Sequence, residues 1–434
     1  MEDNMKTVGI VAEYNPFHLG HRYHIEKARQ QTGADSVVVA MSGNLVQRGD
    51  LSLTDKFIRA EEAVRNGADL VLEIPVCYSC QSAEIFAKGS IEILDSLGVV
   101  DFLAFGSESA DLCSIKKIAD ILTYEDEAFS RSIRSYLSEG MSYPLARQNA
   151  LAETTGSQDQ SIISSSNDIL AIEYLKNLSR LGSSITPVAV KRVSSTYNDE
   201  SIDRLFPSAT AIRKLILENK ASTFNLKETQ RLLMRSVPQG MASELARGIS
   251  EDNLLCLDDF YPELKAVMFR EQTEIKRFFE VNEGIENLIL RNLPACHSLE
   301  ELIEKAKTKR YTRTRIRRTL LNILIGITRS DMERILGKSE QHCETDRNSR
   351  PYARVLAFND RGRILLRRIN ESRDDSSADI INKAAAFEAS SELQQIKLRY
   401  DRIANNMYYS KFKAYRKGIR TENDIMMSPV YIRD

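Results

Sequence analysis

The sequence predicts an α/β protein: a doubly wound parallel sheet fills the first half of the chain, and a mainly helical part follows. Three observations lead there. Short apolar runs rich in β-branched residues alternate with amphipathic stretches. The runs are almost continuously apolar, as strands buried on both faces must be. After roughly residue 210 the strand pattern fades, and charged segments with helical spacing take over.

The strand candidates, in order, are TVGIVAE (7–13), SVVVAMSG (36–43), ADLVLEIP (68–75), DFLAFGSE (101–108) and ITPVAVKRV (185–193). Helical stretches at 20–32, 54–66 and 83–97 separate the first four, giving the alternation of a parallel sheet. Further on, NLKETQRLLMRSV and ENLILRNL carry helical spacing. The polar KSEQHCETDRNSRP, ending at Pro351, reads as a loop, and YARVLAFNDRGRILLRRI after it as strand, turn and helix. A chain of 434 residues exceeds what one core usually holds, and the sequence divides into 1–220 and 221–434.

With 42% hydrophobic and 28% charged residues and a formal charge of −1, the composition is that of a soluble globular protein, and net charge selects no partner. Six scattered cysteines (Cys77, Cys80, Cys113, Cys256, Cys296, Cys343) and the lack of a signal-like start lead to an expectation of reduced thiols in the cytoplasm. Cys77 and Cys80 form a CxxC, but no second pair or nearby histidine completes a zinc site, so core thiols are expected. No apolar run reaches the roughly 18 residues of a membrane span, and no membrane partner is expected.

Two of only five histidines, His18 and His21, lie in EYNPFHLGH, between the first strand and the first helix. Ligands of open parallel sheets bind at such corners, outside the carboxyl ends of strands. Pro16 stops the strand, Gly20 allows close approach to the backbone, and the helix start offers free N–H groups to phosphate. Imidazoles three residues apart share one face of the first turn, where they can stabilise charge as pyrophosphate leaves. The corner suits nucleotidyl transfer. No third ligand completes a metal site, so no resident metal is expected there. A second element, SATAIRK (208–214), places Ser208, Thr210 and Arg213 at another helix start, where they can grip β- and γ-phosphates. Taken alone it also reads as an N-cap followed by a surface arginine.

YNPFHLGH and SATAIR together resemble the HxGH and SSTxIR pair of the nucleotidyltransferase superfamily. GIVAEYNPFHLGHRYHIEKAR, MSGNLVQRGD, AFGSES, SNDILAIEYL and KTKRYTRTRIRR resemble, more narrowly, the bacterial tRNA(Met) cytidine acetate ligase family, over about residues 7 to 430. The resemblance implies a Rossmann-like, ATP-binding nucleotidyltransferase domain followed by a helical tRNA-binding one. It implies that ATP and acetate form acetyl-adenylate, whose acetyl group passes to the wobble cytidine of elongator tRNA(Met) as N4-acetylcytidine. Magnesium is expected with the ATP. By the same resemblance the nucleotide site comprises Val8, Gly9, Ile10, Val11, Ala12, Glu13, Tyr14, Asn15, Pro16, Phe17 and Gly20, with Gly106, Asn167 and Arg192 further on, and His18 and His21 catalytic. Leu19 stands where many relatives have asparagine, and SSSND replaces a more usual Pro-Asn-Asn.

From Lys305 to Arg318, KAKTKRYTRTRIRR carries eight Lys or Arg and no acid. On a helix such density repels itself unless a polyanion neutralises it. Lys307, Lys309, Arg310, Arg313 and Arg315 are the expected RNA contacts, with Tyr311 stacking on an unpaired base. Arg48, Lys56 and Arg59 could extend this path or touch phosphates. The alternative enzyme reading is a small-molecule adenylyltransferase, which keeps the HxGH corner and has no use for the basic run.

Overall fold

The structure, a computed structural model, describes residues 5–433 apart from 126, 142, 156–159, 193–206, 221–225, 339–348 and 413–422. Most of the loop expected at 338–351, Cys343 within it and the end of the strand expected at 185–193 lie outside the described residues.

Five parallel strands form the heart of the sheet: β1 (Thr7–Ala12), β2 (Ser36–Ser42), β5 (Leu70–Ile74), β6 (Phe102–Ser107) and β7 (Thr186–Lys191). β3 (Leu45–Val46) and β4 (Asp50–Leu51) make a small hairpin between β2 and β5 in sequence. Each long strand matches its apolar run to within two residues at either end. The spatial order β5-β2-β1-β6-β7 grows outward from β1 in both directions, so the switch point lies between β1 and β6.

Alternation along β2 shows why both faces are covered. Val37, Val39 and Met41 enter one core with Ile25, Phe57 and Ile212 of the helices Leu19–Thr32, Lys56–Arg65 and Ala209–Lys220. Val38 and Ala40 enter the other with residues of the helices Ala83–Ser96 and Ser166–Leu181. Gly9 is pressed by that second layer: a Cβ there would lie 3.1 Å from both Leu94 Cδ1 and Val100 Cγ1.

The division at residue 220 needs correction. β8 (Tyr352–Phe358) pairs antiparallel with β5, and β9 (Asp379–Ile381) and β10 (Val430–Tyr431) pair with β8. The last 80 residues therefore return to the first half's sheet, and the helices at 226–335 form an insertion between its parts. The expected strand, turn and helix are β8 and the helix Asp360–Glu371.

The basic run is also not one helix. The helix Leu299–Ala306 ends, a turn follows, and the helix Arg313–Ile325 starts from an N-cap in which Thr312 Oγ1 accepts from Arg315 N at 3.3 Å. Lys56 and Arg59 reach neither nucleotide nor surface: both are fully buried. Lys56 Nζ lies 2.7 Å from Glu73 and 2.8 Å from Asp424, while Arg59 donates to the carbonyls of Thr54 and Ser42 at 3.2 Å. Cys77 and Cys80 are buried thiols, and burial pushes the Cys80 pKa up to about 12.

Candidate functional site

The corner after β1 is built by local bonds that the sequence encodes closely. Asn15 anchors it: Nδ2 donates to Leu51 O at 3.2 Å, and Oδ1 accepts from Leu53 N at 2.9 Å. Tyr14 takes φ +49°, an uncommon left-handed conformation for a non-glycine residue, held by its buried ring against Phe17 and His21.

His18 is the N-cap of the first helix, and its Nδ1 accepts from Gly20 N at 3.0 Å. His21 reaches back, its Nδ1 accepting from His18 N at 3.2 Å. This is a capping box made of two imidazoles. Because each Nδ1 accepts, each neutral ring carries its proton on Nε2. Neither Nε2 has a partner among the described residues, and the rings stack with centroids 3.6 Å apart.

Burial, then the charge of Arg192, holds His18 down to about 3; burial, His18 and Arg192 hold His21 well below its ordinary value. Both rings are therefore neutral N–H donors at physiological pH. His24, one turn further and lining the same cleft, is held at about 4 by burial and Arg192, and its Nε2 is buried without a partner among the described residues. The sequence reading missed His24, although its spacing of three from His21 was the available signal.

The cleft, of about 480 Å³, opens over the carboxyl ends of β1, β6 and β7, a size suited to a nucleotide. It brings together Val11, Ala12, Glu13, Tyr14, Asn15, His18, Gly20, His21, Gly106, Asn167, Arg192, Ser208, Thr210 and Arg213. Val8, Gly9, Ile10, Pro16 and Phe17 are not among its lining residues; Val8, Ile10 and Phe17 belong to the core. Gly106 is paired with Val190 across β6 and β7, and a Cβ on it would approach only Arg192, at 3.5 Å or more. Protein packing alone therefore does not demand glycine there. Asn167 Nδ2 donates to Glu108 Oε1 at 2.6 Å, and Glu108 Oε2 accepts from Asp168 N at 3.2 Å, so Glu108 caps this helix.

In the same cleft, Ser208 Oγ accepts from Ala211 N at 3.0 Å and caps the helix Ala209–Lys220. Arg213 is not a surface arginine: it donates to Leu51 O at 3.0 Å and Asp50 Oδ2 at 2.6 Å. Arg48 lines the cleft, donating to Thr210 Oγ1 at 3.3 Å. Among the described residues, no group of three or more His, Cys, Asp or Glu gathers as metal ligands.

The basic run is neutralised largely from within. Arg315 pairs with Glu283 at 3.0 Å, Arg310 with Glu283 at 3.5 Å, Arg318 with Glu280 at 3.7 Å, and Arg313 with Glu300 and Glu304. Tyr311 is 5% exposed, with its hydroxyl donating to Glu283 O, so the expected base stacking is not available to it in this conformation. Lys307 and Lys309 are exposed, with no ion pair among the described residues. Arg313 and Arg317 reach the cleft itself.

A family model described as HIGH Nucleotidyl Transferase matches residues 5–423. The tRNA(Met) cytidine acetate ligase of Acetivibrio thermocellus is 38% identical over 432 residues, covering 98% of this chain and all of that one. That of Clostridium novyi is 37% identical over 431 residues, covering 99% and 100%. Two crystal structures of Thermotoga maritima TmcAL superpose on 99% of this chain and all of theirs: an apo form (TM-score 0.87, 30% identity) and one bound with alpha-thio ATP (0.85, 29%). Among the described residues no helix is long and apolar enough to cross a membrane. The paired imidazoles at the switch point and the full-length similarity agree, and the chain belongs to the tRNA(Met) cytidine acetate ligase family of HIGH nucleotidyl transferases.

Proposed function

We propose that the chain is a cytoplasmic acetate–tRNA ligase that binds ATP in this cleft, forms acetyl-adenylate and acetylates the wobble cytidine of elongator tRNA(Met). One observation carries the reading: two neutral Nε2–H donors lie at the switch point, with the guanidinium groups of Arg48 and Arg213 lining the same cleft.

The chemistry follows from that division of labour. Arginines bind the ground-state triphosphate, because guanidinium matches phosphate oxygens whatever the reaction stage. The imidazoles are aimed where charge builds as an acetate oxygen attacks the α-phosphorus and the bond to the β-phosphate oxygen breaks. Neutral rings suit this: they add donors without holding the ground state as tightly as cations would. Pyrophosphate leaves towards Ser208, Thr210 and Arg213. The exocyclic amine of cytidine then attacks the acetyl carbonyl, AMP leaves, and the amine gives up a proton; positioning supplies most of this step.

Magnesium, expected with the triphosphate, would sit mainly on phosphate oxygens and water. Of the carboxylates in the cleft, Asp50 is committed to arginines, which leaves Glu13, whose Oε2 is 4.0 Å from Arg48. Lys307, Lys309, Arg310 and Arg315 are the proposed tRNA contacts of the basic run.

Incubation with ATP, labelled acetate and elongator tRNA(Met), followed by chromatographic nucleoside analysis, tests the reading. It expects label in N4-acetylcytidine; label absent from the tRNA sinks it.

A further inference from the structure

Arg317 was read only as one charge of a basic run, yet it lines the nucleotide cleft beside Arg313 and Thr314, more than a hundred residues beyond SATAIR. Asp50 explains how it is held. This carboxylate is 5% exposed and accepts four hydrogen bonds. Oδ1 takes Leu51 N at 2.8 Å and Leu257 N at 3.2 Å; Oδ2 takes Arg213 Nη2 and Arg317 Nη1, both at 2.6 Å. Burial alone would raise the Asp50 pKa, but Arg213 and Arg317 together with the backbone N–H groups of Leu51 and Leu257 outweigh it and hold the carboxyl below its ordinary value.

One carboxylate thus fixes two guanidinium groups and cancels only one positive charge. Arg48, on the same hairpin as Asp50, and Arg313 stand near them, so four arginines from three separate segments meet at one end of the cleft. Glu300 reaches Arg317 at 3.4 Å and is shared with Arg313, which also pairs with Glu304, and Glu13 lies 4.0 Å from Arg48. Arg213 and Arg317 are the two that share one buried carboxylate, and a phosphate chain long enough to meet both forks fits them.

We propose that Arg317, positioned by Asp50, is a triphosphate-binding residue: with Arg213 it holds the β- and γ-phosphates of ATP, so the helix Arg313–Ile325 completes the nucleotide site. This rests on the reading that the cleft takes ATP. It divides the basic run by function: the exposed Lys307 and Lys309 face RNA, and the start of the next helix serves the nucleotide.

ATP and AMP distinguish this from a structural or an RNA role, since AMP lacks the β- and γ-phosphates. Equilibrium binding of each nucleotide to the full-length chain and its Arg317→Gln variant should show ATP affinity falling about tenfold or more, with AMP affinity held within about twofold. Arg317→Lys, which keeps the charge without the fork, should fall between them. Asp50→Asn, which keeps the shape and releases both arginines, should narrow the preference for ATP over AMP. Equal losses for ATP and AMP in the Arg317 variants would make the residue structural, and unchanged ATP affinity with weakened tRNA binding would return it to the RNA surface; either overturns the proposal while the ligase reading stands. Failure of the wild-type chain to bind ATP removes both.

Discussion

His18 and His21 do two jobs with one ring each under the proposed function: Nδ1 closes the helix start, and Nε2 is left as the donor offered to the nucleotide. Replacing either by alanine should lower the adenylation rate about 10²- to 10³-fold, the usual cost of one preorganised donor, measured as acetate-dependent exchange of pyrophosphate into ATP. Asparagine at position 18, which can still cap the helix, should retain the fold while losing rate. The depressed ring pKa values also set an acid limit with a definite sign. An unfolded histidine takes up a proton near 6.5, but folded His24 does so only near 4. Below about pH 6.5 the unfolded chain therefore binds more protons, and stability falls with pH until the folded rings titrate. His24→Gln should flatten that slope, gaining roughly 3 kcal/mol relative to wild type at pH 4 in urea unfolding. The motif histidines and SATAIR were legible because their chemistry is local, whereas Asp50 and Arg317 were not. They are 267 residues apart, and only the fold makes them partners.

The element that decides the geometry of the far wall is the hairpin of β3 and β4, which carries Arg48 and Asp50. Gly49 at its turn has φ +72°, and a Cβ there would stand 2.6 Å from Arg318 N and 2.9 Å from Arg317 C. The hairpin and the helix Arg313–Ile325 touch backbone to backbone. Gly49→Ala should therefore cost about 1–3 kcal/mol by chemical denaturation and weaken ATP more than AMP, because the clash pushes the helix away from Asp50. The parallel strands were readable from their apolar runs, since a strand covered on both faces leaves a continuous hydrophobic signature. The break in the basic run was not: a turn at Lys307–Thr312 and a buried Tyr311 leave no mark in a sequence that reads as uniformly charged.

The whole molecule is closed by its own end. Asp424 is 2% exposed and lies 2.8 Å from Lys56 Nζ and 2.5 Å from Arg354 Nη1. Asp424→Asn leaves two buried cations undercompensated and should destabilise the chain by about 3–5 kcal/mol, with far- and near-ultraviolet transitions moving together, because Lys56 and Arg354 are anchored in elements of the central sheet and its covering helices. Sequence reading split the chain at 220 because helices dominate from there. It could not see β8, β9 and β10 rejoining the sheet, since strand pairing across 280 residues has no local signal.

The most direct test of the central claim is acetate-dependent pyrophosphate–ATP exchange by the His18→Ala, His21→Ala double variant, with its ATP affinity measured alongside. Two neutral donors at the α-phosphate predict that exchange falls at least about 10²-fold while ATP still binds within a few fold of wild type. Exchange continuing at near the wild-type rate would contradict the account.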